Sequence, residues 1–306
     1  MGQCCYIRKQ AAVPVRAERP LHPVYRVGRC NMGSDCLIYT RHATEGVAEI
    51  IFNRPAVLNA MNVEMAATLA GMATEAANDP AVRVLVLTGR GTSFMSGGDI
   101  PAFHKMLSAP ATERRDYFTK LMDFTHQAVT ALRRMEKPVI AGVHGTAAGP
   151  GLGIVLACDL VVASDRAVFQ MAYGPLGTTP DGGATHSLPR LVGSRRAAEL
   201  ALLDRRLTAA EALELGMVNR VCPASRLAEE TRCTARQLAF GAATASGRTK
   251  RLLYLSLEHN FQQQLAAERE TFLAAIDSAE FAEGITAFVE RRRPQFSRCA
   301  MPACAD

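Results

Sequence analysis

The sequence predicts an α/β fold built from repeated ββα units. Short apolar runs alternate with longer runs of helical periodicity from about residue 37, and turn residues separate them. Of the 306 residues 48% are hydrophobic, which is ample for one large core or two modest ones. The candidate strands are short runs rich in β-branched residues, at 47–53, 82–89, 139–144, 160–163 and 218–222.

The candidate helices have recognisable ends. Asn62 is a good N-cap for a run rich in Ala and Met, which ends where Asn-Asp-Pro occupies 78–80. A long amphipathic run begins near Thr112 and ends before Pro138. The remaining helical runs are 151–158, 194–203, 208–215 and 225–242.

Composition divides the chain into four segments. Residues 1–36 are rich in arginine, and we expect a disordered extension or a start site placed upstream of the natural one. Residues 37–245 form the predicted α/β core, residues 246–296 a helical C-terminal region, and residues 297–306 a flexible tail.

Charge and hydropathy exclude several classes of protein. The net charge is +6, and much of the excess lies near the two ends, so no clustered basic stripe predicts a nucleic-acid partner. The longest apolar stretch, 138–163, is interrupted by glycines, Pro150 and Asp159, so no membrane span is predicted.

The cysteines indicate the compartment. Nine cysteines show neither a CxxC pair nor regular spacing, and they include Cys158 in an apolar run and Cys222 in a candidate strand. This pattern favours free thiols over a disulfide framework or a zinc site, so no metal is expected. We therefore expect a cytoplasmic protein, with the mitochondrial matrix as the alternative if residues 1–31 are a transit peptide.

Two glycine-rich loops each follow a candidate strand. The loop GTAAGPGLGIVLACD, at 145–159, lacks the third glycine of a dinucleotide fingerprint and the lysine of a P-loop. The loop TSFMSGGDI, at 92–100, has the same strand-turn-helix pattern. Such turns point backbone N–H groups at a developing negative oxygen, so the pair favours an oxyanion site, although each loop alone is also typical of an ordinary turn.

Six ordered motifs carry a family resemblance: FNRPAVLNAMN, GTSFMSGGDI, KPVIAGVHGTAAGPGLGIVLACDLVVAS, PDGGATHSLPRLVG, EALELGMVNRV and AEGITAFVERRRPQF. Over about residues 40 to 296 the chain resembles the crotonase superfamily, the enoyl-CoA hydratase/isomerase group. The resemblance implies a crotonase-like spiral of ββα units and a helical C-terminal region that builds a homotrimer or hexamer. It also implies enolate chemistry on an acyl-CoA thioester; because coenzyme A is part of that substrate, no separate cofactor is expected.

The resemblance assigns the oxyanion donors to two positions. The first is the N–H of Gly98. The second falls on Pro150, which has no N–H to donate. Either this donor is lost or the N–H of Gly151 replaces it. A third interpretation is that Pro150 is present because proline is favoured in the first turn of a helix.

The residues at the positions of the family's catalytic acids distinguish between the possible reactions. Where hydratases of the family place two glutamates, this chain has Gly153 and Tyr173, which disfavours water addition by that route. Asp181 matches the single aspartate of a subset consisting mainly of isomerases. The alternative for Asp181 is a structural role, capping the helix that follows or stabilising the Pro-Asp-Gly turn. Tyr173 could donate a hydrogen bond to the substrate or pack in the core.

Further positions match those that line the CoA ester in the family: Ala56, Leu58, Ser96, Gly98, Asp99, Ile100, Tyr173, Phe288 and Arg291. For the apolar ones, core packing is an equal alternative. Phe288 and Arg291 would reach the CoA of a neighbouring subunit, or else belong to a basic helix face in water.

The sequence therefore predicts an enoyl-CoA isomerase of fatty acid metabolism, with Asp181 as acid and base. The alternatives are an enoyl-CoA hydratase, which is a lyase, an acyl-CoA hydrolase of the same superfamily, and a non-catalytic acyl-CoA binder.

Overall fold

The computed structural model describes residues 35–296. The expectations for residues 1–34 and for the tail at 297–306 lie outside the described residues. The strands are β1 (Leu37–His42), β2 (Val47–Phe52), β3 (Val84–Gly89), β4 (Val139–Val143), β5 (Thr146–Ala148), β6 (Leu160–Ser164), β7 (Val168–Gln170), β8 (Leu207–Thr208) and β9 (Arg220–Cys222).

Eleven α-helices lie within the described range. They are α1 (Val63–Asn78), α2 (Ile100–Leu107), α3 (Ala111–Arg134), α4 (Pro150–Ala157), α5 (Ala184–Val192), α6 (Ser194–Leu202), α7 (Ala209–Glu214), α8 (Leu227–Phe240), α9 (Ala243–Leu255), α10 (Phe261–Ile276) and α11 (Ala279–Val289). Short 3-10 helices occupy Pro55–Val57, Gly174–Leu176 and Ala224–Arg226.

The strands form two sheets that confirm the predicted α/β class. The larger has six strands in the order β1-β2-β3-β4-β6-β9; β1 pairs antiparallel to β2, and all other neighbours are parallel. The smaller has the order β5-β7-β8. Because parallel strands share one carboxyl edge, the loops after β3 and β4 emerge side by side. Both glycine-rich loops are therefore brought to one edge of the sheet.

Most of the predicted elements are present. Asn62 caps α1 by accepting a hydrogen bond from the Met65 N–H at 2.9 Å, as predicted. Strands β1, β5, β7 and β8 were not predicted; β5 and β7 have only three residues each, too few to show a period. Cys158 and Cys222 are buried free thiols. No helix within 35–296 is long and apolar enough to cross a membrane.

The boundary predicted between residues 245 and 246 falls inside a helix. Helix α9 begins at Ala243, and its N-cap, Ala242, makes no side-chain capping bond. The sequence therefore carries no capping signal at the true start, whereas Ser246 resembles one. The helical C-terminal region begins earlier than predicted.

A buried ion pair fastens α9 to the core. The Lys250 ammonium lies 2.8 Å from Asp159 Oδ2, and Lys250 is only 6% exposed. Lys250 also donates to the carbonyl oxygens of Leu132 and Lys137, and the Tyr254 O–H donates to Asp159 Oδ1 at 3.0 Å. Burial raises the pKa of Asp159 and lowers that of Lys250, so each charge depends on the other. Asp159 thus has a structural role, joining α9 to the core.

Candidate active site

The two glycine-rich loops touch at their turns. The Ala148 N–H donates to the carbonyl oxygen of Met95 at 2.9 Å, and Met95 N–H donates to that of Thr146 at 2.9 Å. A β-carbon built on Gly149 would lie 3.5 Å from the Cα of Gly97. Gly97 and Gly149 have φ angles of 120° and 52°, which favour glycine. The two loops that share a strand-turn-helix pattern in the sequence are therefore in direct contact in the structure.

The first loop leaves a backbone donor free at Gly98. Its neighbours are engaged: Met61 N–H donates to the Gly97 carbonyl at 2.8 Å, and Asp99 N–H donates to the Met61 carbonyl at 2.9 Å. The Gly98 N–H has no hydrogen-bond acceptor in residues 35–296. A β-carbon at 98 would lie 2.5 Å from the Phe103 ring, so a side chain here would require that ring to shift.

Helix α4 begins at Pro150 in the second loop, as expected if this proline favours the start of a helix. The Gly149 N–H is occupied, because it donates to the Gln170 carbonyl oxygen at 3.2 Å. Pro150 has no N–H, and the next two, of Gly151 and Leu152, find no acceptor in the described part of the chain. The free donors nearest to Pro150 are thus one and two residues further along the helix.

Asp181 and Tyr173 form a hydrogen-bonded pair beside this junction. The Tyr173 hydroxyl donates to Asp181 Oδ1 at 2.6 Å, and Tyr173 is only 6% exposed. A β-carbon on Gly149 would lie 3.9 Å from Tyr173 Cζ, so the pair adjoins the second loop. The structure therefore brings the sequence-predicted Asp181 and Tyr173 together at the loop contact.

Burial has the largest effect on the pKa values of Asp181 and Tyr173. Burial raises the pKa of Asp181 above its ordinary value, while the Tyr173 hydrogen bond and the charge of His126 act in the opposite direction. Burial, followed by the charge of Asp181, raises the pKa of Tyr173 well above its usual range. At neutral pH the tyrosine is a hydrogen-bond donor and the aspartate its acceptor.

The predicted capping role of Asp181 is wrong. The N-cap of α5 is Gly183, and no side chain caps that helix. Asp181 contributes to the turn only through its backbone carbonyl, which accepts from the Ala184 N–H at 3.1 Å. Its carboxyl group is turned to Tyr173 instead.

Gly153 has a steric reason to lack a side chain. A β-carbon at 153 would lie 3.2 Å from the carbonyl oxygen and 3.4 Å from the Cα of Gly182. The turn that carries Asp181 therefore packs directly against α4. A large side chain at 153 would press on that turn.

The other matched positions belong to the first motif, FNRPAVLNAMN, and to the first glycine loop, and the two segments are in contact. The Ser96 N–H donates to the Leu58 carbonyl oxygen at 3.0 Å. Ala56, Leu58 and Ile100 are exposed, so core packing is wrong as an explanation for them. Asp99 caps α2 by accepting from the Ala102 N–H at 3.1 Å.

Two residues of the surroundings were not found from the sequence. Arg54 Nη2 lies 2.8 Å from Asp99 Oδ2 and ties the first motif to the first glycine loop. His126, on α3, acts electrostatically on Asp181. Arg54 lies in the first of the six motifs, but the sequence does not mark it as a partner of Asp99, and His126 lies in none of them. Only the fold brings these two residues to the site.

Phe288 and Arg291 lie away from the loop junction within the chain. Phe288 is 85% exposed near the end of α11, and Arg291 follows that helix with a φ of 55°. In residues 35–296 no side-chain hydrogen bond or ion pair joins either one to the loops. The structure of one chain thus does not bring them to the site.

Comparison with known proteins finds a family and relatives that match most of the chain. The family model described as enoyl-CoA hydratase/isomerase matches residues 42–298. The chain is 37% identical over 256 residues to the 1,2-epoxyphenylacetyl-CoA isomerase of Escherichia coli, covering 84% of this chain and 97% of that protein. It is 34% identical over 255 residues to a 4-chlorobenzoyl coenzyme A dehalogenase of Arthrobacter, covering 83% and 91%.

A solved structure shares the fold. The enoyl-CoA hydratase from Polaromonas sp. superposes with a TM-score of 0.79 at 32% identity, covering 85% of this chain and 98% of that one. The matched family model, the sequence relatives and this fold agree. The chain belongs to the enoyl-CoA hydratase/isomerase family, within the crotonase superfamily.

Proposed function

We propose that this protein is an enoyl-CoA isomerase that moves a double bond from C3 to C2 of an acyl-CoA thioester. The observation that carries the proposal is the buried Tyr173–Asp181 pair, with its 2.6 Å hydrogen bond, at the contact of two glycine loops that have free N–H groups. A relative that is 37% identical bears the name 1,2-epoxyphenylacetyl-CoA isomerase, which is compatible with the proposal, while relatives that are 34–35% identical bear the names of hydratases and a dehalogenase.

The oxyanion hole consists of backbone donors from both loops. The thioester carbonyl oxygen accepts hydrogen bonds from the N–H of Gly98 and from the N–H of Gly151, which replaces the donor missing at Pro150. These bonds strengthen as negative charge develops on the oxygen, so they stabilise the enolate more than the ground state.

Asp181 is both the base and the acid. Its free Oδ2 removes a proton from C2, and the electrons of the broken C–H bond pass into the thioester to form the enolate. Asp181 then returns the proton to C4 while the double bond forms between C2 and C3. The reaction consumes no water and changes no oxidation state, so one carboxyl group suffices, and coenzyme A enters only as part of the substrate.

Tyr173 keeps the base in place. Because its hydroxyl binds Oδ1, the carboxyl group is held in one rotamer with Oδ2 available to the substrate. Burial makes the carboxylate a stronger base than an exposed aspartate, and the Tyr173 hydrogen bond opposes that rise in the pKa.

We assign binding of the CoA portion to the first motif, to the first glycine loop and to a second subunit. Ala56, Leu58, Ser96 and Ile100 line the nucleotide and pantetheine with backbone atoms. We infer a trimer or hexamer in which the exposed Phe288 and Arg291 reach the CoA of the neighbouring subunit.

Turnover of a 3-enoyl-CoA in deuterated water tests the proposal. The expected product is the conjugated 2-enoyl-CoA with solvent deuterium at C4 in part of the molecules, because Asp181 exchanges its proton with solvent. Hydration of 2-enoyl-CoA without isomerisation would instead indicate a hydratase, and release of free coenzyme A a hydrolase. Tight binding of CoA esters with no turnover would make the protein a binder and contradict the proposal.

A further inference from the structure

A cavity of about 820 Å³ lies between α3, α5 and α9, next to the turn that carries Asp181. Helix α3 contributes positions 126, 129, 130, 133 and 134, which recur at the spacing of one helical face. Gly182 and Gly183, the residues directly after Asp181, lie at its wall. The cavity therefore begins one residue from the proposed base.

His126 connects the cavity with the site. Its side chain lines the cavity, and its charge lowers the pKa of Asp181. Seven residues further along the same helical face lies Arg133, about 10 Å away at 1.5 Å per residue. An acyl chain that passes Asp181 and follows α3 reaches Arg133 within that length.

The distal end of the lining carries polar groups beside the apolar residues Met135, Ala157 and Leu255. Arg133 donates to the Ser187 hydroxyl at 3.3 Å and lies 4.2 Å from the centroid of the Tyr254 ring. Neither Arg133 nor the adjacent Arg134 forms an ion pair with any acidic side chain of residues 35–296. An alkyl tail can pack on the apolar part of this wall but offers Arg133 no anionic partner, whereas an acid end group does.

The other charges around the cavity are largely neutralised. Lys250 is paired with Asp159 at 2.8 Å, and Arg251 with Glu136 at 3.6 Å. Glu258 is exposed beyond the end of α9. Arg134 and Glu258 are both exposed and carry opposite charges without an ion pair among the described residues, so they offset each other. The half-buried Arg133 is the remaining unpaired charge of the lining, and it favours an anion.

We propose that the cavity binds a carboxylate at the distal end of the acyl chain, so that the substrate class is an enoyl-CoA whose chain ends in an acid. This inference rests on the proposed function for the position of the thioester. The carboxylate accepts hydrogen bonds from the Arg133 guanidinium and lies against the Tyr254 side of the cavity, while the chain runs along Val129 and Thr130.

Calorimetric binding of saturated CoA esters tests the inference without turnover. Each ω-carboxyacyl-CoA is compared with the alkyl acyl-CoA of equal chain length. We expect wild type to bind the acid-ended ester roughly 10- to 100-fold more tightly at the best length, as for a hydrogen bond to a charged group. Arg133→Met should abolish this preference, whereas Arg195→Met, an exposed arginine on α6, should keep it.

The outcomes separate this inference from the proposed function. Equal or tighter binding of the alkyl ester by wild type, or an unchanged preference in Arg133→Met, overturns the acid-ended substrate class. Isomerisation of an alkyl 3-enoyl-CoA would in that case still support the enzyme proposed above. If Arg133→Met does not fold, Arg133→Gln decides, since it removes the charge but keeps a donor for the Ser187 hydroxyl; an unchanged preference for the acid-ended ester in that variant overturns the inference.

Discussion

The hydroxyl of Tyr173 donates a 2.6 Å hydrogen bond to Oδ1 of Asp181, in a site where the tyrosine is almost fully buried. The pair lies against Gly149, at the point where the two glycine loops touch. Tyr173 stands where related hydratases carry a glutamate. The position whose tyrosine disfavours water addition by the two-glutamate route thus supplies the hydrogen-bond partner of Asp181.

Tyr173→Phe should shift the acid limb of the pH–rate profile to higher pH. Asp181 must be ionised to act as a base, so activity falls as pH decreases through its pKa. The Tyr173 hydrogen bond lowers that pKa, and its removal raises the pKa further. We expect a loss of roughly tenfold in kcat at neutral pH, partly recovered at higher pH.

A matched control for that variant is Tyr39→Phe. The Tyr39 hydroxyl is buried on β1 and has no hydrogen-bond partner among the described residues. Its removal should leave the profile unchanged. An acid limb that does not move in Tyr173→Phe would remove the tyrosine from the control of Asp181.

Gly153→Glu should inactivate the isomerase without creating a hydratase. The new side chain meets the Gly182 backbone from a β-carbon only 3.2 Å away, so the turn carrying Asp181 must shift. A displacement of about 1 Å can cost on the order of 10² in rate. Steady-state isomerase and hydratase assays check both parts.

Gly174→Ala is the control for added volume. A β-carbon at 174 has no atom within 4 Å, so this variant should match wild type. Substantial isomerase activity in Gly153→Glu would show that the packing of α4 against the Asp181 turn is unimportant.

Lys250→Met should destabilise the fold by about 3–5 kcal/mol, because it leaves the Asp159 carboxylate buried without its cation. Adding Asp159→Asn should recover part of the loss, since the uncompensated charge is then gone. Chemical denaturation of both variants measures these differences in the free energy of unfolding.

Arg251→Met provides the comparison on the same helix. Arg251 and its partner Glu136 are largely exposed and 3.6 Å apart, so this change should cost no more than about 1 kcal/mol. Equal losses for Lys250→Met and Arg251→Met would contradict the role of the buried pair in anchoring α9.

The sequence predicted the parts of this molecule that depend on local chemistry. Asn62 caps α1, and Pro150 begins α4, because capping and proline geometry act within a few residues. The strands β2, β3 and β4 have five or six residues, enough to show a buried run, whereas β5 and β7 do not.

What the sequence could not predict depends on tertiary contacts. Arg54 pairs with a residue 45 positions away, and His126 acts on Asp181 from a different helix. The choice between a catalytic role and a capping or turn role for Asp181 was likewise left open, because the direction of its carboxyl group depends on the position of Tyr173 in space. The polar face of α3 becomes visible as a cavity wall only when α5 and α9 are in place.

The most direct test of the proposed reaction is the isomerisation rate of Asp181→Asn. Asparagine has the same shape and still accepts the Tyr173 hydrogen bond, so the fold and the affinity for a saturated acyl-CoA should be retained. It cannot take up a proton as a base, and kcat should fall by about 10²- to 10⁴-fold. Undiminished isomerisation by Asp181→Asn would contradict the assignment of Asp181 as the acid and base.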